Sequence, residues 1–243
     1  MNSLNTKAGV LLLTFAATFM GSASASAPYD LVQPKMREMI NVANQAMNTG
    51  NIDKAIAYTD LILVQSEVKY SINTDGIADY QRENSRAAAH KAIEAWTEAL
   101  NGEVKFTEVE SNQANVRIKF EQDVRSIGNE VAGYAVWQRQ VYDWGNGHYS
   151  PKLSGDISLR SKTPTGRDMP EGAIIHSACH ELGHLLGLWD SPNFGDVMGP
   201  LHLKNPITKP SITEVTALRD ARLIAQQISQ TCMAQKQSNG YKN

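Results

Sequence analysis

Residues 176–199 read HSACHELGHLLGLWDSPNFGDVMG, with His180 and His184 four positions apart and Glu181 directly after the first. Four residues is about one helical turn, so both imidazoles leave a helix on the same face. The pattern therefore demands a helix here and offers two nitrogen donors to one zinc ion. Glu181 lies beside the pair, placed to take a proton from water without being a donor itself. Gly187 stands three residues past His184 and predicts a left-handed helix end. The chain can then turn back and bring Asp190 to the same point as an oxygen donor, and Met198 follows eight residues later. A bare His-Glu-x-x-His occurs by chance. Its combination with a glycine exit, an acidic third donor and a later methionine makes a core helix with two satisfied histidines the poorer explanation.

The chain has 243 residues, enough to bury a core around such a helix. It is 42% hydrophobic and 20% charged with a formal net charge of −2, and lacks the basic stripe that nucleic-acid binding needs. Lys7, an apolar run at 8–20 and the small residues of GSASASA read as an export signal cleaved after Ala25, too short for a stable membrane span. A secreted or periplasmic location follows from that reading. The expected organisation is a signal peptide at 1–25 and a helical hairpin at 26–66, serving as a pro- or accessory segment or as a surface for a protein partner. The main domain then occupies 67–235, and a flexible tail 236–243. Cys179 and Cys232 are the only cysteines. In an exported protein they could form a disulfide, but sequence supplies no Cα separation, so paired and free states both stay open.

Helical spacing of Met36, Met39, Ile40, Ala43 and Met47, a break at 48–51, and a second run from Ile52 predict the hairpin. Alternation at Val68, Tyr70 and Ile72, and at Val116, Ile118 and Phe120, predicts strands. Ala89, Ile93, Trp96 and Leu100 mark a helix between them. An aromatic-bearing connection (Trp137, Tyr142, Trp144, Tyr149) then leads to a short strand at 155–160. Asp168, with Pro170 after it, is expected to cap the histidine helix. Ser211 and Glu214 form a capping box for a last helix, with Val215, Leu218, Ala221, Ala225 and Ile228 on its buried face.

The motif from His180 to Asp190, with Met198 after it, resembles the metzincin zinc peptidases and within them the matrixin-like branch. The likeness extends to HKAIEAWTEALNGEVKFTEVESNQANVRIKF (90–120), to GDISLR (155–160), which resembles the substrate-aligning edge strand, and to KPSITEVTALR (209–219), which resembles the start of the C-terminal helix. It covers about 67–234. It implies an α+β metzincin fold: a twisted, mostly parallel sheet with an antiparallel edge strand, a zinc-binding helix beneath it, a methionine turn and a C-terminal helix. It further implies one catalytic Zn2+ held by His180, His184 and Asp190, Glu181 as general base, and Met198 as an apolar floor under the ion.

Three departures matter. Most matrixins carry histidine where Asp190 stands; snapalysin-like metzincins use aspartate there. His148 and His202 lack the spacing to replace it. Ser158 stands where the family has a histidine for a structural zinc, so that second zinc is expected to be missing, while Asp156 matches a calcium-site residue and leaves Ca2+ open. No cysteine precedes Cys179 to enforce latency; Asp30 is a candidate substitute. For the substrate, the resemblance places Ser158 along the bound peptide. His176 would lie at the floor of the pocket for the residue after the scissile bond, with 199–205, including Pro200, as its wall. The plainer alternative for His176 is a bond to nearby backbone. The expected function is a zinc endopeptidase in which Glu181 assists a zinc-held water in cutting a protein or peptide. The alternative is a zinc-retaining binding or adaptor protein with little activity. The presence of Glu181 favours the first.

Overall fold

The computed structural model describes residues 28–62, 67–126 and 129–240. The export signal expected at 1–25 lies outside the described residues. A 3₁₀ turn (Pro28–Leu31) leads into α1 (Pro34–Asn48) and α2 (Ile52–Asp60). Met36, Met39, Ile40 and Ala43 are buried on α1 at the predicted helical spacing.

The chain continues through β1 (Glu67–Gly76), α3 (Asp79–Ala99), β2 (Lys105–Glu108), β3 (Val116–Glu121) and two short strands, β4 (Arg125–Ser126) and β5 (Asn129–Glu130). It then forms a long hairpin of β6 (Gly133–Asp143) and β7 (Tyr149–Arg160), followed by α4 (Glu171–Leu186) and α5 (Ile212–Gly240). Among the described residues the strands form a five-stranded sheet ordered β2-β1-β3-β7-β6, with β4 and β5 as a separate pair. All neighbours in the large sheet run parallel except β6, the antiparallel edge strand. Val116, Ile118 and Phe120 face the core, while Arg117 and Lys119 point outward and Arg117 pairs with Asp156 at 2.7 Å.

α4 lies under this sheet and buries most of its residues, with His180 and His184 left partly exposed. Leu182 and Leu185 are 1% exposed; burying such a side chain contributes ~1.5–3 kcal/mol. α3 presents Ala88, Ala89 and Ala92 to it, which permits close approach, and Trp96 Nε1 donates to the Cys179 carbonyl at 2.9 Å. Gly187, at φ 116°, ends α4 in the left-handed conformation foreseen for it. Beneath the helix, Gly183 leaves room for Met198: a Cβ there would sit 2.2 Å from the methionine sulfur and 3.2 Å from the Trp96 ring.

Several expectations are corrected. The aromatic connection is not a loop. Trp137 and Tyr142 lie on β6, Tyr149 opens β7, and Gly145, Asn146 and Gly147, all at positive φ, make the turn. Interleaved polar residues such as Gln138, Arg139 and Gln140 hid the strand, because this arm is half-buried on both faces. The segment at 155–160 is the end of β7, paired on both sides, so it is an interior strand and the edge is β6. Asp168 does not cap α4. Pro170 is the N-cap residue, and Asp168 instead accepts from Gln81 at 2.7 Å and Lys162 at 2.5 Å. Helix α5 continues through Gly240, so 236–240 is not a loose tail; Lys236 pairs with Asp53 on α2 at 2.7 Å. The capping box is formed: Ser211 N donates to the Glu214 carboxylate at 2.6 Å, and Glu214 N to Ser211 Oγ at 3.3 Å.

Cys179 and Cys232 are both free and fully buried, so the disulfide is not formed. The Cys179 thiol lies against the carbonyls of Ala92 and Thr208, enclosed between helices. Burial, reinforced by Glu214, pushes its pKa up to about 12. The native protein should therefore react with no equivalents of a thiol reagent at pH 8 and with two after denaturation; a denatured chain without titratable thiols would show a disulfide. Gly183→Ala should cost about 1–3 kcal/mol of stability by overpacking against Met198 and Trp96, read from denaturant midpoints. An unchanged midpoint would mean this contact is loose.

Candidate active site

Helix α4 presents His180 and His184 one turn apart, and the turn at Gly187 returns the chain so that Asp190 meets them. Both Nε2 atoms lie 3.3 Å from Asp190 Oδ1. A tetrahedral ion with bonds of about 2.0–2.1 Å sets its donors about 3.3–3.4 Å apart, whereas an N–H···O hydrogen bond prefers about 2.9–3.0 Å. The spacing fits a zinc coordination shell, and these three side chains are the group suited to a metal among the described residues.

The far ring nitrogens are anchored. His180 Nδ1 is 3.1 Å from the Val197 carbonyl and His184 Nδ1 is 3.0 Å from the Leu188 carbonyl. Each carbonyl must accept, so each Nδ1 carries a proton, and Nε2 is the ring nitrogen left to bind a metal. The Trp137 ring stacks on His184 with centroids 5.4 Å apart and planes at 17°. Partial burial opposes ionisation of Asp190, but the two imidazoles outweigh it and hold its carboxyl well below the usual carboxylate range. Burial likewise opposes charge on His180, and Asp190 reverses the outcome, raising its pKa.

Glu181 projects toward the edge strand. It is 6% exposed, and a Cβ on Gly133 would lie 2.9 Å from its Oε1. Its carboxyl accepts from the Ala135 backbone, and burial pushes its pKa above the ordinary value. Arg160 N donates to the Ala132 carbonyl and Trp144 N to the His148 carbonyl, each at 2.9 Å. Alternate residues of an antiparallel strand face its partner, so the main chain of Ala135, Trp137 and Arg139 faces away from β7 along the sheet's free edge.

The segment 190–198 closes on itself. Ser191 N donates to the Met198 carbonyl at 2.9 Å, and Asp196 accepts from Ser191 Oγ at 2.6 Å and Asn193 at 3.2 Å. Glu214, fully buried, accepts from Met198 N at 2.6 Å and Val197 N at 3.3 Å besides capping α5. One carboxylate thus ties the methionine turn to the last helix, a link that the capping pattern did not reveal.

The other sequence candidates fall in different places. His176 is buried, with Nδ1 2.8 Å from the Ile207 carbonyl and a further bond to the Gly199 backbone, so it fastens the loop over it in the manner of the plainer reading. Pro200 is exposed at the start of that loop. Ser158 pairs with Lys119 and Tyr134 in the sheet interior, away from any free edge. Asp156 is engaged by Arg117 at 2.7 and 2.9 Å, which leaves calcium without support there. Asp30 lies at the surface, 4.0 Å from Arg37. His148 and His202 are exposed on loops apart from the donor group. Trp137, Ala135 and Glu214 were missed as site residues. Alternation at Ala135, Trp137 and Arg139 was the available signal for the first two.

The sequence profile of the matrixin peptidase family matches residues 63–217. Stromelysin-2 of Rattus norvegicus is 27% identical over 124 residues, and interstitial collagenase of Sus scrofa is 26% identical over 125 residues. Each alignment takes in 51% of this chain and 25% of the relative, so the match reaches about a quarter of the length of these proteins. With the mixed sheet and antiparallel edge strand and the helix of paired histidines, the profile match over more than half of the chain establishes that it belongs to the matrixin family of metallopeptidases.

Proposed function

We propose that the protein is a zinc-dependent endopeptidase, acting outside the cytoplasm, that hydrolyses peptide bonds with Glu181 as the proton carrier. The observation that carries this reading is the 3.3 Å separation of each of the His180 and His184 Nε2 atoms from Asp190 Oδ1, beside a buried carboxyl that is not one of the three. Zinc bound there would supply Lewis acidity and a water of lowered pKa.

The chain's own residues do the rest. Asp190 and the two Nε2 atoms hold the ion. Glu181, kept in place by the Ala135 amide, accepts a proton from water at its carboxylate and later delivers it to the departing amine. Its raised pKa brings the carboxyl nearer to neutrality, which suits a group that must both take and give a proton. The free edge of β6 offers main-chain donors and acceptors to a peptide, which pairs there as an added strand and lies across the three donors. Trp137 covers one side of His184 and keeps that ring from turning.

The test is zinc content and peptide cleavage measured together. Glu181→Gln should retain one zinc per chain and lose about 10²–10⁴-fold in kcat. Asp190→Ala should lose both zinc and cleavage. Full turnover by Glu181→Gln would remove Glu181 from the proposed role. Stoichiometric zinc without cleavage of any peptide by the wild type would favour the binding or adaptor reading.

A further inference from the structure

The segment before α1 is joined to the end of the histidine helix. Gln33 is 2% exposed and stands at the N-cap of α1, yet its side chain makes no capping bond there. Its Nε2 donates instead to the carbonyls of His184 at 3.0 Å and Leu188 at 2.9 Å. The Leu188 carbonyl is the same one that anchors His184 Nδ1 at 3.0 Å. The Gln33 amide donates to the Gly187 carbonyl at 2.8 Å, Val32 and Leu188 form an antiparallel bridge, and Trp189 N donates to the Leu31 carbonyl at 2.7 Å. Asp190 is the next residue. Arg139, from the edge strand, donates to the Leu185 carbonyl and reaches Gln33 Oε1 at 3.5 Å. A helix leaves its last carbonyls without internal partners, and here the partners come from a segment about 150 residues earlier.

We propose that Gln33 is a positioning residue for the metal centre, and that Leu31–Gln33 are a working part of the mature site, not a segment shed on activation; this rests on the zinc reading above. Gln33 fixes the Leu188 carbonyl, and that carbonyl fixes the tautomer and rotation of His184. The Leu31–Gln33 segment also sets the path of the turn that delivers Asp190. Partners of this kind orient the ligating ring, and their loss typically weakens metal binding by about 10–100-fold.

Zinc affinity, measured by competition with a chromogenic chelator, tests this without reference to proteolysis. Gln33→Met keeps the length and apolar fill of the side chain and removes the donor. Its zinc Kd should rise by about 10–100-fold. Met39→Ala, which loosens α1 without touching the turn, should keep the wild-type Kd. An unchanged Kd in Gln33→Met, or an equal rise in both variants, overturns the proposal. A wild type that binds no zinc overturns the zinc reading along with it. The unaltered protein gives a second measurement should Gln33→Met fail to fold. Coupling is reciprocal, so zinc should slow hydrogen exchange at the Gln33 and Trp189 amides more than at residues 40–46 of α1. Equal protection across both sets would contradict the inference.

Discussion

The exit of the chain from α4 is the constraint on which the site depends. In a continued helix, at about 100° and 1.5 Å per residue, residue 190 would point about 120° away from His184 and lie about 9 Å further along. Asp190 could not then join the histidines. Gly187 at φ 116° stops the helix, and the reversed segment brings Asp190 Oδ1 to 3.3 Å from both imidazoles. The rest of the architecture keeps that reversal in one place. The sheet and α3 bury the helix, the 190–198 segment closes through Ser191 and Asp196, and Glu214 locks Val197 and Met198 to α5.

The charges of the site follow from this packing. Two imidazoles and two carboxyls share a small, half-buried volume, and the fold gives the carboxyls opposite environments. Asp190 faces both rings and is held ionised by them. Glu181 is turned toward the edge strand, where burial raises its pKa and a single backbone donor meets it. A group held as an anion suits a ligand, and a group nearer neutrality suits proton transfer. As a zinc ligand in place of a third imidazole, Asp190 would lower the charge of the loaded centre by one relative to a three-histidine site.

Much of this was legible in the residues themselves. The histidine spacing, the glycine exit and the Ser211–Glu214 box are local patterns read from neighbouring residues; Asp190 was readable from its place after Gly187, although distant segments also hold the turn that delivers it. The inward faces of β1, β3 and α3 were readable for the same reason. What escaped was long-range. Strand β6 was obscured because its faces are both half-buried and carry mixed residues, so the edge was assigned to 155–160 and Ser158 was put beside the substrate. Asp168 was a plausible cap by residue type, but Pro170 starts the helix and Asp168 is drawn to Lys162 and Gln81. The cysteines are free and separately buried, which no spacing rule reports. Glu214 was found as a cap, whereas its hold on the methionine turn depends on how two distant segments meet.

The most direct test of the central claim is X-ray absorption at the zinc edge of the loaded protein. A shell of two imidazole nitrogens and additional oxygen at about 2.0–2.2 Å, with no sulfur at about 2.3 Å, is the result this account predicts. Three imidazoles in the shell, or a sulfur ligand, would mean that Asp190 does not complete the site and that the turn at Gly187 has been given the wrong purpose.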